Sequence, residues 1–427
     1  MLKDYIDLGY KPTKRDFVCE YHIEPAQGVG FEDACTHMAG ESSIDTWSDI
    51  STLSPQLAEE LKPHVIFVDE KQQTVRVAYT QDLFEINSVP QILSAIAGNI
   101  FSMKLLDNLK LVDIAFPEDV IQAFHGPKFG MHGVKDLLGV KDRPLVGTIV
   151  KPKVGLTTEK HAEVAYNAFV GGCDIVKDDE NLTDQKFNRF SKRAELTLKL
   201  RDHAEAETGE RKMYMCNITA PTCEEMLKRA EIIKDLGGEY AMIDIIPMGW
   251  SALQSLRENN NDLNLVLHAH RCMHSALTRN PRHGVSMLVI AKLIRLIGLD
   301  QLHIGTVVGK MHGGKEEVLA LRDECVLEQV PENHAQHILR QDWGRIKPVF
   351  PVASGGLEPT MVPELIKIFG KDVIMQFGGG IHAHPMGTIS GATACRQAVD
   401  AALDGITLEE YAKTHDELKA ALDKWVK

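Results

Sequence analysis

Between residues 144 and 380 the chain repeats one pattern eight times: a short apolar, β-branched run, then a longer stretch with helical spacing. The runs are 145–152, 173–180, 213–220, 240–247, 263–271, 301–309, 349–356 and 373–380. A helix between two strands carries the chain back to the end where it started, so successive strands lie parallel. Eight evenly spaced units predict a closed (β/α)8 TIM barrel. A doubly wound open sheet is the alternative, but it needs no such even set of eight. Helix punctuation agrees. Thr222-Cys223-Glu224-Glu225 forms a capping box after the third run, and Gly237-Gly238 closes that helix before the fourth.

At 427 residues the chain has room for more than the barrel. Residues 1–125 mix strand-like segments (17–23 and within 65–79) with helical ones (53–61 and 91–104) and predict an N-terminal α+β domain. A Gly- and Lys-rich connector spans 126–143, the barrel 144–400, and C-terminal helices form an extension over 401–427. A net charge of -13 without any basic run argues against nucleic acid and anionic membranes as partners. Residues 1–5 carry no apolar signal core, and the apolar stretch 288–299 is interrupted by Lys292 and Arg295, so no membrane span is expected. Eight cysteines without a CxxC pair suggest neither a disulfide framework nor a zinc site, but reduced thiols in a cytoplasmic protein.

The carboxyl ends of the runs are rich in reactive polar residues, and in a barrel those ends form the face that holds the active site. Polar residues that merely end strands are the bland alternative. In Lys177-Asp178-Asp179-Glu180, alternation puts Lys177 and Asp179 on one side, with Glu180 where the strand frays. Two such carboxylates suit a hard cation such as Mg2+. An ammonium would repel that cation, so Lys177 helps only if it becomes an anion, for instance a carbamate; a strand-end salt bridge is the other reading. Lys151 and Lys153 bracket Pro152, and their repulsion suits a proton shuttle or an anion site. His268, His270, Arg271 and His274 follow the fifth run; a metal site is conceivable, but acid–base work by His270 and phosphate binding by Arg271 fit better. Ser354-Gly355-Gly356 and Gly378-Gly379-Gly380 end the seventh and eighth runs, where barrels bind phosphate. With Arg271 and His303 they suggest two phosphates. Gly305 to Gly314 reads as a hinged loop with Lys310 near its tip, or as a plain exposed loop.

The ordered set GTIVKPKVGL, GGCDIVKDDENL, LHAHRCMH, HIGTVVGK, VASGG and QFGGG resembles the large chain of ribulose-1,5-bisphosphate carboxylase/oxygenase (RuBisCO), most of all the archaeal form III type. Upstream, Glu41 to Trp47 and Gly98-Asn99 resemble the N-terminal active-site segments of that family. The resemblance implies that Lys177 is carbamylated by an activator CO2 and binds Mg2+ with Asp179 and Glu180. The carbamate would take the C3 proton of ribulose 1,5-bisphosphate. CO2, or O2 in competition, would then add to the Mg-bound enediolate, and carboxylation would end in two 3-phosphoglycerates. It further implies that Lys151 gives the final proton, Lys153 orients substrate, His270 is an acid–base group and Lys310 steadies the new carboxylate. One phosphate would meet Thr46, Trp47, Gly356, Gly378 and Gly379, the other Arg271, His303 and Ser354, with Gly355 between. Glu41, Asn99, Thr46 and Trp47 would come from a partner subunit, which implies a homodimer with shared sites, extensible to a ring of dimers, without a small subunit. Relatives of this type work in nucleotide salvage or with a phosphoribulokinase. Two departures stand out: Met311-His312-Gly313 where many relatives have Leu-Glu-Gly, and Asp45 in place of a usual glycine. Competing readings are a RuBisCO-like enolase or isomerase acting on another sugar phosphate, and a non-catalytic barrel that binds a partner.

Overall fold

The computed structural model of the chain describes residues 5–45, 51–308 and 314–426. It divides into two compact units that do not follow a linear cut. The first joins Met1–Gly126 with Met273–Gly298 and Leu327–Ile346; the second joins Pro127–Cys272 with Leu299–Val326 and Lys347–Lys427.

The first unit is built on a five-stranded sheet ordered Gly284–Val285, Leu106–Ala115, Asp16–Pro25, Thr74–Thr80, His64–Asp69. Its long neighbours pair antiparallel, and Gly284–Val285 adds in parallel at the edge. Period-two alternation buries Phe17, Cys19, Tyr21 and Ile23 completely. Glu20, between them, is equally buried and is met by Arg76 Nε and His337 Nδ1, each at 2.6 Å. The sequence spacing does not predict helix Phe31–Glu41, because its buried residues mix the small Ala34, Cys35, Ala39 and Gly40 and the polar Thr36 with only two large apolar ones, Phe31 and Met38. Asp45 accepts a hydrogen bond from the Tyr5 hydroxyl at 3.0 Å, which gives the departure from glycine a local role. Helix Met287–Ile297 explains the charges inside the apolar stretch. Lys292 is sealed in and donates to Asp113 at 2.9 Å and to the Ile114 carbonyl at 2.8 Å. Arg295 lies 4.6 Å over the Trp343 ring and donates to the Leu327 carbonyl. Among the described residues no helix is long and apolar enough to cross a membrane.

The second unit contains the predicted barrel. Its strands are β1 (Leu145–Ile149), β2 (Ile175–Lys177), β3 (Met213–Asn217), β4 (Tyr240–Asp244), β5 (Val266–His270), β6 (Gln301–His303), β7 (Phe350–Ser354) and β8 (Ile374–Phe377). They pair in parallel, neighbour to neighbour, and β8 returns to β1 to close the ring. Each of the eight runs contains one strand. Thr222 caps its helix, with the Glu225 N–H donating to Thr222 Oγ1 at 3.2 Å, while the Glu225 carboxylate accepts from Arg229 Nε at 3.3 Å. The stretch read as a connector is not one: it holds helix Gly130–Leu138, whose Met131, Val134 and Leu138 share a core with Leu145, Ile175, Met213 and Phe350 near the starts of the strands. Its glycines and lysine masked the one-sided spacing. The buried Asp300 carboxylate fastens this helix by accepting from the Phe129 and Gly130 N–H groups at 2.7 and 2.8 Å, and from Leu267 N–H at 2.9 Å. All eight cysteines are free thiols.

Two predictions follow from the first unit. Replacing Asp113 by alanine strands a buried Lys292 charge and should lower unfolding free energy by about 3–5 kcal/mol, measured by denaturant titration. His337 is raised above the ordinary imidazole value, first by its bond to Glu20 and against the pull of burial. A raised histidine stabilises the fold fully below its unfolded value of roughly 6.5 and loses that contribution as pH rises through the folded value. The stability gap between the natural chain and His337→Gln should therefore be widest in mild acid and close toward alkaline pH.

Candidate active site

β2 ends at a point where alternation sorts three carboxylates and a lysine. Asp178 faces away from the others into a buried network: Arg193 Nε and Asn217 N–H reach one oxygen at 3.1 and 3.0 Å, and His161 and the Tyr214 hydroxyl reach the other. Burial pushes its carboxyl up, but Arg193 and His161 outweigh that and hold it well below the usual range. This anchor fixes the strand end from behind. Lys177 and Asp179 then project the other way, as predicted.

Lys177 is fully buried, and its Nζ donates only to the Asp178 carbonyl at 2.7 Å and to Met242 Sδ at 3.2 Å. Among the described residues it has no ion pair, so the strand-end salt bridge is not the one the sequence offered. The carboxylates are held by the other two lysines. Lys151 Nζ donates to Asp179 Oδ2 at 2.8 Å, and Lys153 Nζ lies 3.6 Å from Glu180 Oε1. Burial depresses the Lys177 amine below its ordinary value, against the opposing pull of Glu180, Asp179 and Asp244. Burial would raise Asp179, but donation from Lys151 and Asn181 leaves it below the usual range.

The histidines line the next arc. His270 Nε2 stands 3.7 Å from Glu180, and its Nδ1 stands 3.2 Å from Asp244 Oδ1 while receiving the Cys272 N–H at 3.3 Å. Its ring is 4.8 Å from that of His303. His268 joins His303 through their Nε2 atoms at 2.8 Å, and His303 Nδ1 meets Ser354 Oγ at 2.6 Å. Burial drives all three imidazoles below their ordinary value. Arg271 is also depressed by burial, to about 10, and has no hydrogen-bond or ion-pair partner among the described residues. Gly305 makes room for it: a Cβ there would stand 2.8 Å from the Arg271 guanidinium.

Gly355 and Gly356 adopt positive φ of 118° and 73°, a region that favours glycine. Gly378 lies beside Lys151, and a Cβ on Gly379 would meet only open space. Lys151, Lys153, Lys177, Asp179, Glu180, His270, His303 and Ser354 thus form one continuous set. Glu41, at a helix end, and the exposed Asn99 belong to the first unit. Thr46, Trp47 and Lys310, with Met311 to Gly313, lie outside the described residues. Asp244, marked in the sequence only as one of the polar strand ends and given no role there, has its Oδ2 held by Thr219 and Asn217 at 3.1 and 3.3 Å. The sequence reading passed over Gln301, which supports His268. Their one signal was position at a strand end or start.

Two family models match, described as the ribulose bisphosphate carboxylase large chain N-terminal domain over residues 4–120 and catalytic domain over residues 130–425. A ribulose bisphosphate carboxylase of Methanosarcina barkeri is 71% identical over the full length of both chains. One from Methanocaldococcus jannaschii is 51% identical, covering 99% of this chain and 100% of its own. Among solved structures, the dimeric archaeal Rubisco from Hyperthermus butylicus superposes with a TM-score of 0.93 at 45% identity, covering 99% and 98% of the two chains. The octameric enzyme from Pyrococcus horikoshii, in complex with sulfate, gives 0.91 at 46% identity, covering 99% and 96%. With its barrel closed, its strand-end residues in place and both domains matched, the chain belongs to the ribulose bisphosphate carboxylase large-chain family.

Proposed function

We propose that this chain carboxylates ribulose 1,5-bisphosphate, with Lys177 converted by CO2 to a carbamate that holds Mg2+ together with Asp179 and Glu180. The observation that carries the proposal is a buried amine, depressed by its surroundings and free of ion pairs among the described residues, next to two carboxylates. Only a neutral amine attacks CO2. The new N–C bond releases one proton to solvent and turns a neutral side chain into an anionic one. Three anionic oxygen donors then suit a hard divalent cation. When bound, Mg2+ supplies Lewis-acid stabilisation to the oxygens on which charge develops.

The chain's own residues do the rest. Lys177, as carbamate, takes the C3 proton. Lys151 returns a proton to the product carbanion, and Lys153 orients the substrate. His270, with Nδ1 facing Asp244 at 3.2 Å and Nε2 facing Glu180 at 3.7 Å, serves as acid–base group. Arg271, His303 and Ser354 take one phosphate. Gly356, Gly378 and Gly379, positioned by Gly355, take the other with Thr46 and Trp47. Lys310 steadies the added carboxylate, and a second copy of the chain supplies Glu41, Asn99, Thr46 and Trp47. The dimeric and octameric assemblies named for relatives support a homodimer, or a ring of dimers. O2 competes for the same intermediate. A cytoplasmic role downstream of nucleotide salvage, or of a phosphoribulokinase, fits the archaeal relatives.

The test is anaerobic incubation with labelled CO2, Mg2+ and ribulose bisphosphate. Labelled 3-phosphoglycerate is expected, and its absence from folded, CO2-preincubated protein would count against the reaction. Lys177→Ala should abolish both turnover and Mg-dependent trapping of activator CO2; turnover comparable to the natural chain would reject the carbamate role. Arg271→Ala should raise KM for the bisphosphate by roughly 10- to 100-fold, as expected for a lost charged hydrogen bond.

A further inference from the structure

Beside the carboxylates proposed for Mg2+ stands a second group of ligand atoms, softer in character. β4 and β5 pair in parallel with Asp244 opposite His270, so the two residues sit at neighbouring strand ends. Cys272 follows two residues on. One oxygen of Asp244, one ring nitrogen of His270 and Cys272 Sγ lie within 4.8 Å of one another. Ligand atoms around a tetrahedral zinc ion sit roughly 3–4 Å apart, given bonds of about 2.0–2.3 Å. Small side-chain rotations bring the three onto one ion, with the fourth position left to water.

Each of the three has spare capacity. Asp244 is 2% exposed, and Thr219 and Asn217 hold its Oδ2. Its Oδ1 is buried without a hydrogen bond, although His270 Nδ1 stands 3.2 Å away. A buried carboxylate oxygen left in that condition is costly until something meets it. His270 Nδ1 receives the Cys272 N–H at 3.3 Å, long for such a bond, so an ion can compete for that lone pair. Cys272 is half-buried. Burial, with the Asp244 and Glu180 carboxylates, pushes its thiol up to about 12. The carboxylates that oppose a lone thiolate are the same ones that draw a cation to it.

A dication closes the charge count. The Cys272 thiol gives its proton to solvent and binds through sulfur. His270, whose charge burial disfavours, gives a ring nitrogen, and Asp244 gives Oδ1. One thiolate and one carboxylate balance the two positive charges, so the filled site is neutral in its buried setting. A hard ion such as Mg2+ takes oxygen ligands and passes over a set that includes sulfur and nitrogen, whereas Zn2+ and Cd2+ accept all three. The two ligand sets therefore sort hard ions from soft ones. They are also adjacent, since His270 Nε2 stands 3.7 Å from Glu180.

We propose that Asp244, His270 and Cys272 form a second metal site, for a thiophilic divalent cation such as Zn2+ or Cd2+, and that filling it inhibits the enzyme by occupying His270. Binding stands on the three side chains alone; the inhibition rests on the reading of His270 as an acid–base group. The test uses the full-length assembly carrying Cys223→Ser, which removes the exposed thiol, with Mg2+ in excess throughout. Cd2+ should bind once per chain, with thiolate-to-metal charge transfer in the near ultraviolet. Zinc X-ray absorption should show one sulfur at about 2.3 Å. Adding Cys272→Ala should remove the charge-transfer band and weaken Cd2+ binding at least about tenfold. It should leave turnover without zinc unchanged and raise the Zn2+ concentration for half-inhibition by the same factor. A zinc shell of oxygen and nitrogen alone, or a band that survives Cys272→Ala, would overturn the site. Equal zinc sensitivity with and without Cys272 would overturn the inhibition. The zinc spectrum of the parent protein decides binding even if Cys272→Ala fails to fold. Sulfur coordination in protein that makes no 3-phosphoglycerate sinks the reaction alone, whereas its absence from protein that carboxylates sinks the metal site alone.

Discussion

A primary amine enclosed in a barrel wall cannot keep its charge cheaply unless a carboxylate meets it. At Lys177 the two nearest candidates are already engaged, Asp179 by Lys151 and Glu180 by Lys153. What remains for the Lys177 Nζ is a backbone carbonyl and a thioether, both neutral. The site is therefore built around a lysine that burial shifts toward its neutral form. That form is a nucleophile rather than a counter-ion, and much of the surrounding arrangement follows from keeping it so.

Such a placement holds only if the strand end cannot shift to relieve it. Asp178 prevents that shift. Buried, ionised and held by Arg193, His161, Tyr214 and the Asn217 backbone, it ties the end of β2 to β3 and to the helices Thr158–Val170 and Phe190–Thr208 outside the barrel. The opposite end of the barrel is fixed by a comparable device, the Asp300 carboxylate gathering three backbone N–H groups from Phe129, Gly130 and Leu267. In both cases a buried carboxylate is satisfied by fixed donors, the condition under which such a group stabilises rather than disrupts. A one-residue change in strand phase would exchange Asp178 with its neighbours and place the wrong carboxylate in the cleft.

The barrel and most of its mouth were legible because both rest on local rules. Alternation along a strand sorted Lys177 and Asp179 from Asp178, and apolar runs separated by capped helices marked all eight strands. What was not legible depended on distant partners. Helix Gly130–Leu138 looks like a linker because its three buried apolar residues, Met131, Val134 and Leu138, find their core only against the strand starts. The charges Lys292 and Arg295 make sense only beside Asp113 and Trp343, far away in sequence. The grouping of residues 273–298 and 327–346 with the N-terminal segment breaks the linear domain order for the same reason. Gln301 and Asp244 are ordinary residues in the sequence, and they gain meaning from the histidines placed beside them.

The cleft also solves an electrostatic problem posed by a chain whose net charge is -13. A doubly phosphorylated ligand is repelled at long range by such a protein, so attraction must be local. Burial keeps His268, His270 and His303 largely neutral, so the cationic character rests on Lys151, Lys153 and Arg271. Arg271 is unpaired among the described residues and ready for an anion. The two lysines are not, since each faces a carboxylate. They become available to an anionic ligand only when Asp179 and Glu180 are engaged elsewhere. Placing the carboxylates proposed to hold the metal and the lysines proposed to face the substrate in the same ion pairs therefore links the two occupancies: until the carboxylates are taken, the lysines neutralise them, and the cleft holds few uncompensated charges of either sign.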